Sequence, residues 1–170
     1  MIRVYYTLQP TRSDDFIESV LKDRLSIPDR TILRTKFGKP YLKNGNVRFN
    51  LSNSGNLTVL AVSDEEVGID CELLKERNLN AIMRRFSESE KSCIHDLESF
   101  YRNWTAKESF VKYCGSSIAK DLSHLEYRGG KMYFHGVLQN VHFATFPIHN
   151  NIVSICAPSS EISLINTDVI

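Results

Sequence analysis

Leu97, Tyr101, Trp104, Glu108 and Val111 recur at steps of three and four, which puts all five on one stripe of a helix. A stripe of that length must be buried against another layer, so it constrains the fold more than any other feature of the chain. It also carries a carboxylate, Glu108, with Trp104 one turn before it and Lys112 one turn after. Thr105 and Glu108 have capping-box spacing, in which Glu108 satisfies backbone donors at a helix start, and Glu108 with Lys112 also makes an ordinary surface ion pair. The apolar period runs through Thr105 without a break, however, and Ser87 with Glu90 is the better start signal. Residues 104–112, WTAKESFVK, therefore read as helix interior, with a face that can bind and react.

Most of the remaining chain reads as strands. Residues 2–8 alternate and are rich in β-branched and aromatic types, and Ser13 then offers an N-cap for a helix with the apolar face Phe16, Val20 and Leu21, ended by Pro28. From residue 31 short strands alternate with turns. Asn44-Gly45, between strands at 41–42 and 47–49, predicts a tight hairpin. Lys36, Lys39, Lys43 and Arg48 surround it, as a solvated basic face or as an anion site. In FNLSNSGN, residues 49–56, Phe49 and Leu51 alternate inward, while Ser52, Asn53 and Ser54 beside Gly55 suit a polar turn or a phosphate cradle. A strand at 57–62, a turn at 63–66 and a second strand at 67–72 read as a meander. Residues 73–85 make a polar, basic connection into a helix that buries Ile82 and Met83. Gly115 and two serines stop the long helix, after which strands are predicted at 125–128, 132–135, 141–146 and 152–157, the first two joined through Gly129-Gly130. The tail, residues 159–170, is expected to be peripheral.

The strand VGIDCE, residues 67–72, carries a second chemical signal. Period two sends Val67, Ile69 and Cys71 to one face and Gly68, Asp70 and Glu72 to the other, so two carboxylates project side by side, ~7 Å apart at their backbones. Like charges so placed either point into solvent or need a neutraliser, and a hard divalent cation such as Mg²⁺ is a natural one.

Composition narrows the function classes. With 170 residues, 42% of them hydrophobic, the chain can bury one good core or two small lobes sharing one. A net charge of +1 provides no global pull towards nucleic acid or a membrane, so any anion binding must be local. Cys71, Cys93, Cys114 and Cys156 are scattered without a CxxC or a zinc spacing, and fit reduced thiols. His95, His124, His135, His142 and His149 lie singly and read as structural or surface residues rather than ligands. No signal-like or membrane-spanning apolar run is present in the sequence, and a cytoplasmic location is expected.

Three ordered signals carry a family resemblance: KFGKPY at 36–41 with FNLSNS at 49–54, GIDCE at 68–72, and FYRNWTAKESFVKYCG at 100–115. Together they resemble the Sfp-type 4'-phosphopantetheinyl transferases, whose signature is GKP, FN(I/L)SHS, GID(I/V)E and W(T/S)xKE(A/S)xxK in that order. The resemblance implies transfer of the phosphopantetheine arm of coenzyme A to a serine of an apo carrier protein, with release of adenosine 3',5'-bisphosphate. It implies that Asp70, Glu72 and Glu108 hold Mg²⁺, that Glu108 removes the serine proton, and that Lys107 and Lys112 neutralise phosphate oxygens. It sets Gly38, Lys39 and Pro40 against the adenine, and Ser52 and Asn53 against phosphate. Asn53 replaces the usual histidine and brings no positive charge, which Lys36 or Lys39 can offset. The segment before GKP is short for the family, leaving Arg3, Arg12, Lys22 and Arg34 as candidates for the 3'-phosphate.

By the same resemblance the fold is α+β, with two pseudo-symmetric lobes, residues 1–66 and 67–170, each a helix packed on a small antiparallel sheet and the active site in the cleft between them. A monomer is expected, with the acidic helix of the carrier docking near Arg77, Arg84 and Arg85. A relative that binds coenzyme A or a carrier without transferring the arm is the alternative, and a Mg²⁺-dependent phosphohydrolase is a further one.

Overall fold

Two sheets face each other across a common apolar core, each with a helix on its outer side, in a computed structural model that describes residues 1–45, 47–76 and 78–168. In chain order the first elements are β1 (Ile2–Thr7), α1 (Ser13–Ser19) running into a π-helical turn (Val20–Arg24), β2 (Ile32–Arg34), β3 (Pro40–Leu42), β4 (Arg48–Ser54), β5 (Leu57–Ser63) and β6 (Gly68–Leu73). The helical one-turn pieces α2 (Asn80–Met83) and α3 (Glu88–Lys91) lead to the long α4 (Leu97–Cys114) and a short α5 (Ile118–Asp121). Strands β7 (Leu125–Arg128), β8 (Lys131–Phe134), β9 (Val137–Leu138), β10 (His142–Ile148), β11 (Asn151–Ala157) and β12 (Ile162–Asn166) complete the chain.

The first sheet has the order β12-β1-β5-β4, antiparallel except for the parallel pair β1 and β12. The second, β10-β11-β6, is antiparallel throughout. Strand alternation divides the apolar residues as the pleat requires. Val4, Val59 and Ala61 of the first sheet meet Val67, Ile69, Cys71, Val153 and Ile155 of the second, all nearly inaccessible to solvent. Tyr5, Leu60 and Val62 point the other way, onto Phe16, Ile17, Val20 and Leu21 of the first helical segment. On the far side of the second sheet, Ile152 and Cys156 pack under Phe100, Trp104, Phe110 and Val111 of α4. The chain is thus a mixed α+β protein with small, mainly antiparallel sheets and few helices.

The long helix starts later than the spacing predicts. Ser87 and Glu90 do form a capping box, but it opens the single turn α3; a second box, Asp96 with Ser99, opens α4. Gly115 ends α4 at φ 64°, as expected. Ser13 is the first helical residue rather than the cap, and Arg12 stands in the N-cap position.

Three pairings differ from the sequence reading. The chain turns at Asn44-Gly45, where the Gly45 amide donates to Leu42 at 3.2 Å, but β3 pairs with β2 and β4 pairs with β5, so the turn joins two ladders instead of closing a hairpin. β5 and β6 are likewise not neighbours, because the chain crosses between them from the first sheet to the second, letting Ile69 and Cys71 face Val59 and Ala61 across the core. The tail is not peripheral: β12 forms the edge of the first sheet, Ile2 opposite Ile162. It therefore joins the elements of residues 1–66, not those of 67–170.

The two sheets are joined edge to edge by side chains. β6 pairs with β11 along one edge, and its opposite amides, those of Ile69, Cys71 and Leu73, donate to Asn50 Oδ1 (2.8 Å), Ser52 Oγ (3.2 Å) and Ser54 Oγ (3.0 Å) of β4. Asn151 Nδ2 adds a bond from β11 to the Ser54 carbonyl at 2.9 Å. Alternate residues of one strand thus take the place of a backbone ladder, which explains the polar string of FNLSNS.

Candidate active site

The seam delivers β6 to the side of α4, and the fit there is close. A Cβ on Gly68 would lie 2.0 Å from the Ser109 carbonyl oxygen and 2.4 Å from the Tyr113 nitrogen, so only glycine lets strand and helix approach this far. One pleat further along, Asp70 faces Lys112. The Lys112 ammonium lies 2.7 Å from Asp70 Oδ1 and donates at 2.9 Å to Ser52 Oγ, which itself donates to Asp70 Oδ1 at 2.9 Å. Asp70 is buried, and its second oxygen, Oδ2, has no hydrogen-bond partner. Burial pushes its carboxyl above the usual range, against the pull of Lys112 and Ser52. Glu72, two residues on, accepts from Ser54 Oγ at 3.2 Å.

Glu108 completes the cluster from α4. Burial, then the charges of Asp70 and Glu72, push it up to about 7, and the Lys112 ammonium only partly opposes them. The Lys112 ammonium is held by Asp70, and its charge also reaches Glu108, while one oxygen of Asp70 is buried without a partner. An all-oxygen donor set with surplus negative charge suits a hard divalent cation. Among the described residues no three His, Cys, Asp or Glu side chains are drawn together into a ready-made metal cluster.

Beside these acids opens a cavity of about 250 Å³, lined among others by Asp14, Arg34, Gly38, Lys39, Pro40 and Lys112. The GKP residues occupy the turn between β2 and β3, where Gly38 adopts φ 83° and its amide donates to Thr35 at 2.9 Å. Lys112 is therefore shared between acid cluster and cavity. The other cations of the cavity have acid partners, Arg34 with Asp14 and Lys39 with Glu66, and Arg34 also donates to the Gly38 carbonyl at 3.1 Å.

Several expected site residues lie elsewhere. Lys107 is a correction: it is fully buried, 2.5 Å from Glu90 Oε1 and 3.8 Å over the ring of Phe86, and burial lowers its pKa. The contact is an ion pair without hydrogen-bond direction. Glu90 also accepts the amides of Ser87 (2.9 Å) and Tyr127 (2.8 Å), so this pair ties α4 to α3 and β7. One residue along a helix is a rotation of about 100°, which turns Lys107 away from the face of Glu108 and Lys112. Ser52 is buried, and its hydroxyl is bonded to Asp70, Lys112 and the Cys71 amide. Lys36 is exposed, with its ammonium 4.9 Å from the ring of Phe37. Asn53 is exposed and donates to Ser13 Oγ at 3.0 Å.

Arg84 and Arg85 are exposed and line a second cavity of about 620 Å³ with His124 and His135, whose rings stack at 4.2 Å. Two of the five histidines are thus a pair. Arg77 lies outside the described residues. All four cysteines are free thiols, and no helix among the described residues is long and apolar enough to cross a membrane. The sequence reading missed Asn50 and Ser54 as partners of β6, and Asp14 and Glu66 as partners of the cavity cations. Only the first two had a signal, their period-two spacing around Ser52.

Carboxylates backed by an ammonium, beside a cation-lined cavity, are the equipment that phosphoryl transfer needs. Residues 66–157, which include β6 and α4, match the model of the 4'-phosphopantetheinyl transferase superfamily. The chain is 34% identical over 136 residues to an L-aminoadipate-semialdehyde dehydrogenase-phosphopantetheinyl transferase of Xenopus laevis, covering 65% of this chain and 44% of that protein. It is 33% identical over 110 residues to the 4'-phosphopantetheinyl transferase gsp of Aneurinibacillus migulanus (60% and 46%), and 31% over 124 residues to the 4'-phosphopantetheinyl transferase ffp of Bacillus subtilis (68% and 55%). The chain belongs to the 4'-phosphopantetheinyl transferase superfamily, and its resemblance is to the Sfp-type members. It spans about half the length of the curated relatives it matches.

Proposed function

We propose that the protein transfers the 4'-phosphopantetheine arm of coenzyme A to the serine hydroxyl of an apo carrier protein. The serine oxygen forms a new bond to the phosphorus that bears the arm, the pyrophosphate bond breaks, and adenosine 3',5'-bisphosphate leaves. Glu108 takes the serine proton. Lys112, which lines the cavity and touches the acid cluster, neutralises charge on the departing phosphate. Asp70, Glu72 and Glu108 would hold Mg²⁺, which when bound supplies charge neutralisation at the pyrophosphate. The unpartnered oxygen of buried Asp70 and the surplus of carboxylates support that assignment.

Gly38, Lys39 and Pro40 take the adenosine end of coenzyme A, with Arg34 the best-placed residue for its 3'-phosphate and Lys36 and Asn53 at the rim. An anionic ligand entering the cavity draws Arg34 and Lys39 from Asp14 and Glu66. The carrier docks along Arg84 and Arg85, and the protein works as a cytoplasmic, pseudo-symmetric two-lobed monomer. The observation that carries the whole reading is that Lys112 belongs both to the carboxylate cluster and to the cavity of the GKP turn.

Intact-mass spectrometry of apo acyl, peptidyl and polyketide carriers incubated with the protein, coenzyme A and Mg²⁺ tests it. The expected result is a gain of one phosphopantetheine arm, lost with EDTA and reduced at least ~100-fold by Glu108→Ala, the usual scale for removing a general base. Calorimetric binding of coenzyme A without any mass gain would instead identify a binding module.

A further inference from the structure

Ser52 Oγ is an atom-scale junction of three elements: β4 of the first sheet, β6 of the second, and α4. A serine hydroxyl has one proton to donate and two lone pairs to fill. Here the proton goes to Asp70 Oδ1 at 2.9 Å, and the lone pairs receive the Lys112 ammonium at 2.9 Å and the Cys71 amide at 3.2 Å. The Cys71 amide belongs to the strand itself, so it fixes the hydroxyl to the backbone of β6. With one lone pair held there and the other by Lys112, the proton is directed at Asp70. Asp70 Oδ1 thus collects two donors, while Oδ2 is left buried without one.

We infer that Ser52 is a positioning residue, which locks the carboxylate of Asp70 and the ammonium of Lys112 into one geometry across the seam and reserves Asp70 Oδ2 for a divalent cation. It acts through these two side chains. The inference rests on the proposed transferase reading only for its catalytic consequence. Ser54 repeats the pattern more weakly, bonding the Leu73 amide and Glu72. Asn50 and Asn151 stitch the seam without contact to either acid.

That difference supplies the control. Asn151→Ala removes a seam bond remote from Asp70 and Lys112, whereas Ser52→Ala removes a seam bond and the junction together. Ser52→Thr keeps a hydroxyl on a β-branched side chain suited to a strand. Mg²⁺ affinity by calorimetry without coenzyme A, kcat and KM for coenzyme A, and Tm are measured on all three and on wild type. Ser52→Ala is expected to weaken Mg²⁺ binding by about tenfold and to lower kcat by 10- to 100-fold with KM changed less than about threefold. Ser52→Thr recovers most of both, and Asn151→Ala lowers Tm while leaving Mg²⁺ affinity and kcat near wild type. If Ser52→Ala does not fold, Ser52→Cys, similar in volume but a poor hydrogen-bonding group, is measured in its place. Wild-type protein without Mg²⁺ affinity, or a serine variant indistinguishable from Asn151→Ala, overturns the inference. Wild-type protein that binds Mg²⁺ but transfers no arm retires the transferase reading alone, and the Mg²⁺ comparison still decides the role of Ser52.

Discussion

Lys107 and Glu108 are consecutive in the sequence and have opposite fates in the fold. The motif presents them as a pair, but the buried partner that draws Lys107 inward, Glu90, lies in another helix and carries no local signal. Glu108 was recognisable because a carboxylate interrupted an apolar stripe. Its environment makes a pH prediction for the metal-free protein. The groups facing it are Asp70 and Glu72 from β6 and Lys112 from its own helix. An acid whose folded pKa is raised from 4.5 to about 7 is more easily accommodated protonated, so its contribution is fully present below about pH 4.5 and lost as pH rises to about 7. Asp70 is shifted in the same direction. Unfolding free energy should therefore decline across that window by roughly 2–3 kcal/mol for Glu108. Calorimetric Tm against pH should show the decline, flattened in Glu108→Gln. Mg²⁺ should raise Tm more at pH 7 than at pH 5, and a Tm indifferent to Mg²⁺ at both would count against the carboxylate site.

At the scale of elements, the strands announced themselves and their neighbours did not. Alternation tells which face of a strand is buried, but nothing in VGIDCE says that its free amides meet serines and an asparagine of β4 instead of another backbone. The Asn44-Gly45 turn was correctly a turn, yet turn chemistry does not reveal that β3 already has β2 as its partner. The glycine of GIDCE does have a reading once the helix is in view. Gly68→Ala would force its methyl onto the Ser109 carbonyl, which sits in the middle of α4 and cannot yield. The variant should lose at least about 3 kcal/mol of stability and displace β6 from the helix. Denaturant unfolding measures this, and a midpoint close to wild type would show that strand and helix separate more easily than the packing indicates.

The whole molecule is held by a core to which both sheets contribute, so its halves are not independent. The composition allowed for a shared core, but the return of the chain to the first sheet was invisible, because ISLIN is a short apolar run without a turn to link it to β1. Parallel pairing with β1 and the bonds of Asp168 to Thr7 and Leu8 fasten the strand in place. Deleting residues 161–168 should strip Ile2 and Val4 of their neighbours and cost about 2–4 kcal/mol, a fall in Tm of order 10 °C for a chain of this size. A truncated protein melting within a degree or two of the full chain would show β12 to be ornamental.

The position of β12 also bears on how the protein is made. A ribosome releases β1 long before β12, yet the two lie side by side. Until β12 emerges, the nascent chain can assemble β1, β5 and β4 but must leave one flank of β1 with unpaired amides and carbonyls, a template for any extended segment that passes. The emergence of β12 seals that flank, so a chain that stalls before it carries both the acid cluster and a sticky edge.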